Sequence, residues 1–210
     1  NKCADINKCS FFNAKSNILT DTQKQSCDTD ITIEECSISL AELNNNKSPG
    51  SDGFTTEFYK FFWPDIKQHV FNSFQHAFHS GILSNNQRET ILSLIPKPNK
   101  DLRLLKNWRP ISLLNTDYKI LTKLLANRLQ NVIHNIVSED QSGYIKNRYI
   151  GENIRTVLDV IEYSSLRTDP GILLFVDFEK AFDTVSWDFL FKTLDYFNFG
   201  DSFRKWVSII

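Results

Sequence analysis

Apolar residues fall at helical spacing over most of this chain. In ITIEECSISLAELN, Ile33, Cys36, Leu40 and Leu43 share one face, and Thr32 with Glu35 forms a capping box at its start. Two aromatic-rich helices are predicted next, from about Thr55 to Phe62 and from Pro64 to His79, with Pro64 opening the second and Gly81 stopping it. Ile120, Leu124, Leu125, Leu129, Val132, Ile133 and Ile136 mark a long amphipathic helix that begins near Thr116. NIRTVLDVIEYSSL reads as another helix, and two more are expected, from about Ser186 to Phe197 and from Asp201 onward. Strand-like runs are few: TILSLIP, closed by Pro96, and ILLFV at residues 172–176. Between them lie turn-rich loops, NNNKSPGSDGF, KPNKDLRLLKNWRP and SEDQSGYIKNRYIG. Short strands among helices without strict alternation point to an α+β fold, mostly helical. Residues 1–32 read as a loose lead-in or linker from an upstream domain, and 33–210 as the folded domain.

Residues 172–176 are apolar on both faces, the pattern of a central strand covered on both sides. Asp177 closes that strand, and Glu179 and Asp183 follow. A carboxylate in this place needs water, a cation or a helix N-terminus to offset its desolvation. Capping the following helix is one assignment, although Asp183 or Ser186 serves the helix at 187 better. The other is metal ligation, since a carboxylate on a strand end is a hard-oxygen ligand for Mg²⁺. On spacing alone both stand.

Composition narrows the choice only a little. With 41% hydrophobic and 23% charged residues the chain is ordinary for a globular protein, and 17 phenylalanines imply a core rich in aromatic packing. Net charge is −1, but unevenly spread: Arg88–Arg167 holds 13 Lys/Arg against 8 Asp/Glu, the remainder 11 against 17. A basic middle followed by an acidic strand end suits a protein that holds polyanion with one part and metal with another. Cys3, Cys9, Cys27 and Cys36 lack zinc-ligand spacing and read as ordinary thiols. No apolar run approaches membrane-spanning length, and the first residues lack a signal-peptide core, so an intracellular protein is expected. The absence of methionine and the apolar close KWVSII suggest part of a longer reading frame.

LLFVDFEKAFDTVSWDFL resembles the first palm motif of reverse transcriptases, in which a strand delivers a metal-binding Asp. LNNNKSPGSDGFTTEFYKFFW, GILSNNQRETILSLIPKPNKD, NWRPISLLNTDYKILTKLLANRLQNVI and EDQSGYIKNRYIGENI resemble, in order and spacing, the fingers and early palm of LINE-type (non-LTR) retrotransposon reverse transcriptases. The resemblance covers roughly residues 33–210. It implies a right-hand polymerase fold, with the fingers and part of the palm present. It further implies RNA-directed DNA polymerase activity that transfers dNTPs to a DNA primer on an RNA template in the nucleus and cytoplasm.

Residue roles follow by the same resemblance. Asp177 would ligate two Mg²⁺ ions, with the Phe178 carbonyl holding the nucleotide-side ion, and the pair would clamp attacking and leaving oxygens. Phe182 stands where the family places a bulky ring beneath the incoming sugar, excluding a 2′-OH. Lys97 and Arg109 would meet the β- and γ-phosphates, as point charge and fork. Lys100, Arg103 and Lys106 are expected on template backbone or in solvent. In DQSGYIKNR, Gln141, Gly143 and Arg148 would position the template, with Lys146 beside them and Tyr144 available for stacking. Lys47, Pro49, Gly50, Asp52 and Gly53 match a block preceding the fingers. There Asp52 would cap the next helix, and Ser51 departs from the family's frequent Pro. Glu179 and Asp183 read as solvated or capping residues.

The adjacent Asp-Asp pair that completes such a site does not occur in these 210 residues. The chain is therefore expected to be truncated before that hairpin and inactive alone, within a polyprotein with an upstream endonuclease and downstream palm and thumb. A catalytically dead remnant that binds RNA, or a group II intron-type maturase fragment, are the other readings.

Overall fold

The computed structural model describes residue 12 and residues 17–167, 171–178 and 180–210. Its elements run α1 (Asp21–Asp28), α2 (Ile33–Glu42), α3 (Thr56–Ser80), α4 (Asn85–Arg88), β1 (Thr90–Pro96), β2 (Trp108–Leu114), α5 (Thr116–Val132), α6 (Ile150–Arg167), α7 (Ala181–Thr184), α8 (Trp187–Tyr196) and α9 (Asp201–Ile209). They form two compact units. One comprises residues up to Cys27 with Leu129–Gly200, the other Asp28–Arg128 with Asp201–Ile210.

In the second unit, α2 begins as its sequence signals. Thr32 Oγ1 accepts from the Glu35 backbone N–H at 3.1 Å, and Glu35 Oε2 accepts from the Thr32 N–H at 2.9 Å, closing the capping box. α3 starts at its cap Thr55, which accepts from the Phe58 N–H, and ends at left-handed Gly81. Two helices were expected around Pro64; one continuous helix forms instead. Proline removes one hydrogen bond and costs about 3 kcal/mol in a helix interior. Packing on both sides of it outweighs that: Trp63 donates to Ser37 Oγ of α2 at 2.8 Å, and Phe78 meets Trp206 of α9 at 4.9 Å. Phe74, Ala77, Phe203, Trp206 and Ile209 are buried with Ile120, Leu121, Leu124 and Leu125 of α5.

β1 and β2 pair antiparallel, with Ile95 opposite Arg109 and Leu94 opposite Pro110. A loop was expected through Pro110; a strand forms. Two strands leave each an outer edge, where the missing proline N–H needs no partner. α5 starts at Thr116 as expected and gives way at Ile133–Asn135 to a 3₁₀ turn.

The first unit shows order where a loose lead-in was expected. α1 forms, Leu19 and Cys27 are buried, and the Leu19 N–H donates to Phe197 O at 3.1 Å. Asn198 Nδ2 returns a bond to Leu19 O at 3.0 Å. Cys3 and Cys9 lie outside the described residues. Cys27 is buried, as is Cys36 in the second unit, where burial pushes the Cys36 thiol up to about 12. α8 begins at its cap Ser186, which accepts from the Phe189 N–H.

The central strand expected at 172–176 does not form. Residues 171–178 are irregular, and Ile172 is 98% and Phe175 77% exposed. A strand needs neighbours for its backbone groups, and among the described residues β1 and β2 pair only with each other.

The second unit's most buried charge is Arg128 of α5, 5% exposed. Its guanidinium donates to both Glu35 carboxylate oxygens, at 2.7 and 2.8 Å, to Asp30 O at 2.8 Å, and to Thr29 O. Burial raises the Glu35 carboxyl, but Arg128's hydrogen bonds and charge together with the Thr32 bonds outweigh it and hold the group below its ordinary value of 4.5. Arg128→Ala is expected to lower the unfolding free energy by about 3 kcal/mol, the low end for a broken buried pair because Glu35 keeps some solvent contact. Denaturant titration checks this. Because the folded Glu35 value is depressed, its contribution is complete above 4.5 and fades as pH falls through the lower folded value. The Arg128→Ala deficit should therefore shrink in strong acid.

Candidate active site

In the second unit the candidate phosphate ligands stand on the β1–β2 hairpin. Side chains alternate along a strand, so Lys97, two residues beyond Ile95, falls on the same face as Arg109, which is opposite Ile95. The Lys97–Asn107 backbone bond carries the pairing one step past Pro96, so side-chain alternation puts Lys97 and Arg109 on the same side of the hairpin end. The Lys97 N–H donates to Asn107 O at 2.8 Å, and its Nζ to Lys106 O at 2.8 Å. The connecting loop is ordered by its own polar groups: Asn107 Nδ2 donates to Asp101 O and Trp108 Nε1 to Leu102 O. Asp101 is the single acid from Lys97 to Arg109 and is already paired with Arg103 at 2.9 Å. That pairing holds its carboxyl below the ordinary range. Lys100 and Lys106 are exposed, and among the described residues no carboxylate pairs with Arg109. The hairpin end is a positive surface with few competing anions.

Beside the hairpin's other end, the SPGSDG loop rests on Asn115, which is fully buried. Asn115 Oδ1 accepts from the Asp52 N–H at 3.3 Å and from Ser51 Oγ at 3.4 Å, while its Nδ2 donates to Asn86 O at 2.7 Å. A Cβ on Gly50 would lie 2.0 Å from Asn115 Oδ1, so only glycine fits there. Lys119 Nζ reaches Ser48 O. Asp52 was expected to cap α3; instead it accepts from the Phe54 N–H at 3.0 Å within its own turn, and Thr55 is the cap. Lys47 is exposed, Pro49 half-buried, and Gly53 closes the turn at φ 75.

The first unit carries the remaining candidates. Asp177 and Phe178 are exposed on the irregular segment 171–178, and Glu179 lies outside the described residues. Lys180 is left-handed at φ 51 and opens α7, which carries Phe182 and Asp183. Phe182 meets Tyr144 edge-on, ring centroids 5.8 Å apart at 82°. The loop bearing Tyr144 is clasped by Gln130 of α5, whose Nε2 donates to Tyr144 O at 2.8 Å and whose Oε1 accepts from the Lys146 N–H at 3.1 Å. Arg148 donates to Gln141 O at 2.7 Å, to Val137 O at 3.2 Å and to Ser138 O. Its guanidinium is thus directed into the loop. Gln141 Nε2 donates to Gly143 O at 3.4 Å. A Cβ on Gly143 would make only ordinary contact, with Gln141 Nε2 at 3.6 Å, so the fold itself does not demand glycine there.

Among the described residues no three His, Cys, Asp or Glu side chains stand together to hold a metal ion, and no helix is long and apolar enough to cross a membrane. The Asp177 carboxylate and the Phe178 carbonyl are accessible hard-oxygen donors, a donor set that fits part of a divalent-ion site.

A profile of the family described as "Reverse transcriptase (RNA-dependent DNA polymerase)" matches residues 95–209. The chain belongs to the reverse transcriptase family. That span contains both hairpin cations, the 141–148 loop, Asp177 and Phe182. The resemblance to non-LTR retrotransposon proteins also holds. The chain is 39% identical over 186 residues to the "Transposon TX1 uncharacterized 149 kDa protein" of Xenopus laevis, covering 89% of this chain and 14% of that protein. It is 25% identical to the "Retrovirus-related Pol polyprotein from type-1 retrotransposable element R1" of Bradysia coprophila, over 85% of this chain and 18% of that one. It is 26% identical to the "Probable RNA-directed DNA polymerase from transposon X-element" of Drosophila melanogaster, over 73% and 17%. The chain spans less than a fifth of the length of each of these relatives.

Around the candidate site residues of this reverse transcriptase domain, β2, the Asn115 strut and the Gln130 clasp are not marked in the sequence. Each joins residues at least 12 positions apart, and an Asn or Gln at a helix end carries no local mark of a distant partner. Arg148→Ala should free three carbonyls and speed amide exchange across residues 137–148 at least tenfold, with little change elsewhere. Hydrogen–deuterium exchange on the chain reads this directly, and unchanged exchange would show that the clasp is weak.

Proposed function

We propose that this chain forms the fingers and the first part of the palm of an RNA-directed DNA polymerase of a non-LTR retrotransposon. It works within a longer protein that extends a DNA primer on an RNA template with dNTPs, in the nucleus and cytoplasm. The observation that carries the reading is the placing of Lys97 and Arg109 on the same side of the β1–β2 hairpin end, flanking a loop whose single acid is already neutralised. Two cations so placed suit the β- and γ-phosphates of a triphosphate, Arg109 as a fork and Lys97 as a point charge.

The other roles follow from the family's motif positions. The Asp177 carboxylate and the Phe178 carbonyl would hold Mg²⁺, which when bound neutralises charge on the reacting phosphate and on the attacking and leaving oxygens. Phe182 lies under the sugar and rejects a 2′-OH by contact. Gln141 and Gly143 present backbone to the template, and Gly143, which the fold does not require, leaves room for close approach. Arg148 acts from within the loop, holding that backbone in place. The remaining carboxylates, absent from these 210 residues, come from elsewhere in the longer protein.

Primer extension tests this in two arms. The 210 residues alone should show no incorporation, and incorporation by them would overturn the division of the site. In the longer polymerase, Asp177→Asn should reduce extension to background while Glu179→Gln keeps most of it; equal losses would mean the ligand is misassigned. A longer polymerase inactive from the outset would instead favour a dead remnant. Arg109→Ala should raise KM for dNTP about tenfold or more with kcat largely kept, as expected for one lost charge-assisted phosphate contact.

A further inference from the structure

We propose that Tyr144 is a positioning residue for Phe182 and, through it, sets how strictly the polymerase selects deoxyribose over ribose. The inference rests on Phe182 being the sugar gate and deepens that assignment. A steric gate discriminates only as far as its ring is held, because a phenylalanine free to turn about χ1 swings aside and admits the extra hydroxyl. Phe182 stands on the four-residue α7 and is 79% exposed, so core packing does not hold it.

Tyr144 supplies the missing restraint. Its ring meets Phe182 edge-on at 5.8 Å and 82°, the arrangement that aromatic quadrupoles favour. Among the described residues it is the one ring that Phe182 contacts. Tyr144 is itself 84% exposed, so the pairing is not a by-product of a buried core. Its backbone is left-handed at φ 63, uncommon for a bulky residue and kept only where surroundings impose it. The surroundings do so here. Gln130 grips the loop on both sides, at Tyr144 O and the Lys146 N–H, and the Ile145 side chain is buried between. Every fastening acts on the backbone or on Ile145, which leaves the Tyr144 ring to face Phe182. The contact uses the ring and not the hydroxyl, so phenylalanine should serve at 144.

The test measures kcat/KM for a dNTP and for the matching ribonucleotide with the full polymerase on an RNA template and DNA primer. Four proteins are compared: the parent, Tyr144→Asn, Tyr144→Phe and Phe182→Val. Asparagine accepts the left-handed backbone, so Tyr144→Asn removes the ring while the loop keeps its course. An aromatic edge contact corresponds to about 2- to 10-fold in an equilibrium. Tyr144→Asn should therefore lower deoxy-over-ribo discrimination by about that factor, through a lower KM for the ribonucleotide, with kcat for the dNTP within about twofold. Tyr144→Phe should keep the parent ratio, and Phe182→Val should lower it furthest. An unchanged ratio in Tyr144→Asn beside a relaxed Phe182→Val overturns the buttress and leaves the gate standing. Equal losses for both sugars in Tyr144→Asn overturn it too, and assign Tyr144 to the template strand. An unchanged ratio in Phe182→Val removes the gate assignment and the buttress with it.

Discussion

The second unit depends on one buried cation. Arg128 is enclosed near the end of α5, and its guanidinium donates to four oxygens of the Thr29–Glu35 segment that begins α2. A buried guanidinium without such partners would be strongly destabilising. The chain therefore adopts this unit with the start of α2 and the α5 face bearing Ile120, Leu121, Leu124 and Leu125 in one register. Glu35 serves twice, as the closing member of the capping box and as Arg128's counter-ion. A local helix-start signal and a long-range ion pair thus share one carboxylate, and losing either weakens the other.

The same economy governs loops within each unit. Each is held by polar side chains that reach backbone carbonyls or N–H groups, joined in the 137–148 loop by the buried Ile145. Asn115 carries the SPGSDG turn, Gln130 and Arg148 carry the 137–148 loop, and the hairpin loop closes on itself through Asp101, Asn107 and Trp108. Loops fastened from inside leave their outer surface for a partner. Gly143 and the cations Lys97 and Arg109 occupy such surfaces. An ordered loop also presents its groups with less entropy to lose on binding than a free one.

Where periodicity or capping is local, the sequence was legible. The Thr32–Glu35 box, the Gly81 stop, the Thr116 start, the Ser186 cap and β1 appear where the residue pattern places them. Two departures share one cause. Pro64 reads as a boundary because its local penalty is real, yet packing against α2 and α9 carries the helix through it. Pro110 reads as loop, yet pairing with β1 makes it strand. In both, contacts distant in sequence override a preference fixed within one turn. ILLFV departs in the other direction: its apolar pattern is genuine, but a strand is a relation between segments, and 171–178 finds no backbone partner among the described residues.

By itself the sequence determined the identity of the chemical groups and their order: an Asp closing an apolar run, an aromatic five residues on, two proline-flanked cations and a glycine-bearing polar loop. Those suffice to recognise a reverse transcriptase domain, because motif order along a chain needs no geometry. Only the tertiary structure decided which of them touch. Strand register put Lys97 and Arg109 on one face, Gly50 had to be glycine because Asn115 folds over it, and Tyr144 came to rest against Phe182. Each of these relates residues from 12 to 65 positions apart. Hydrogen bonds and packing of that range have no periodic trace along the chain, and they become visible only when the backbone has closed.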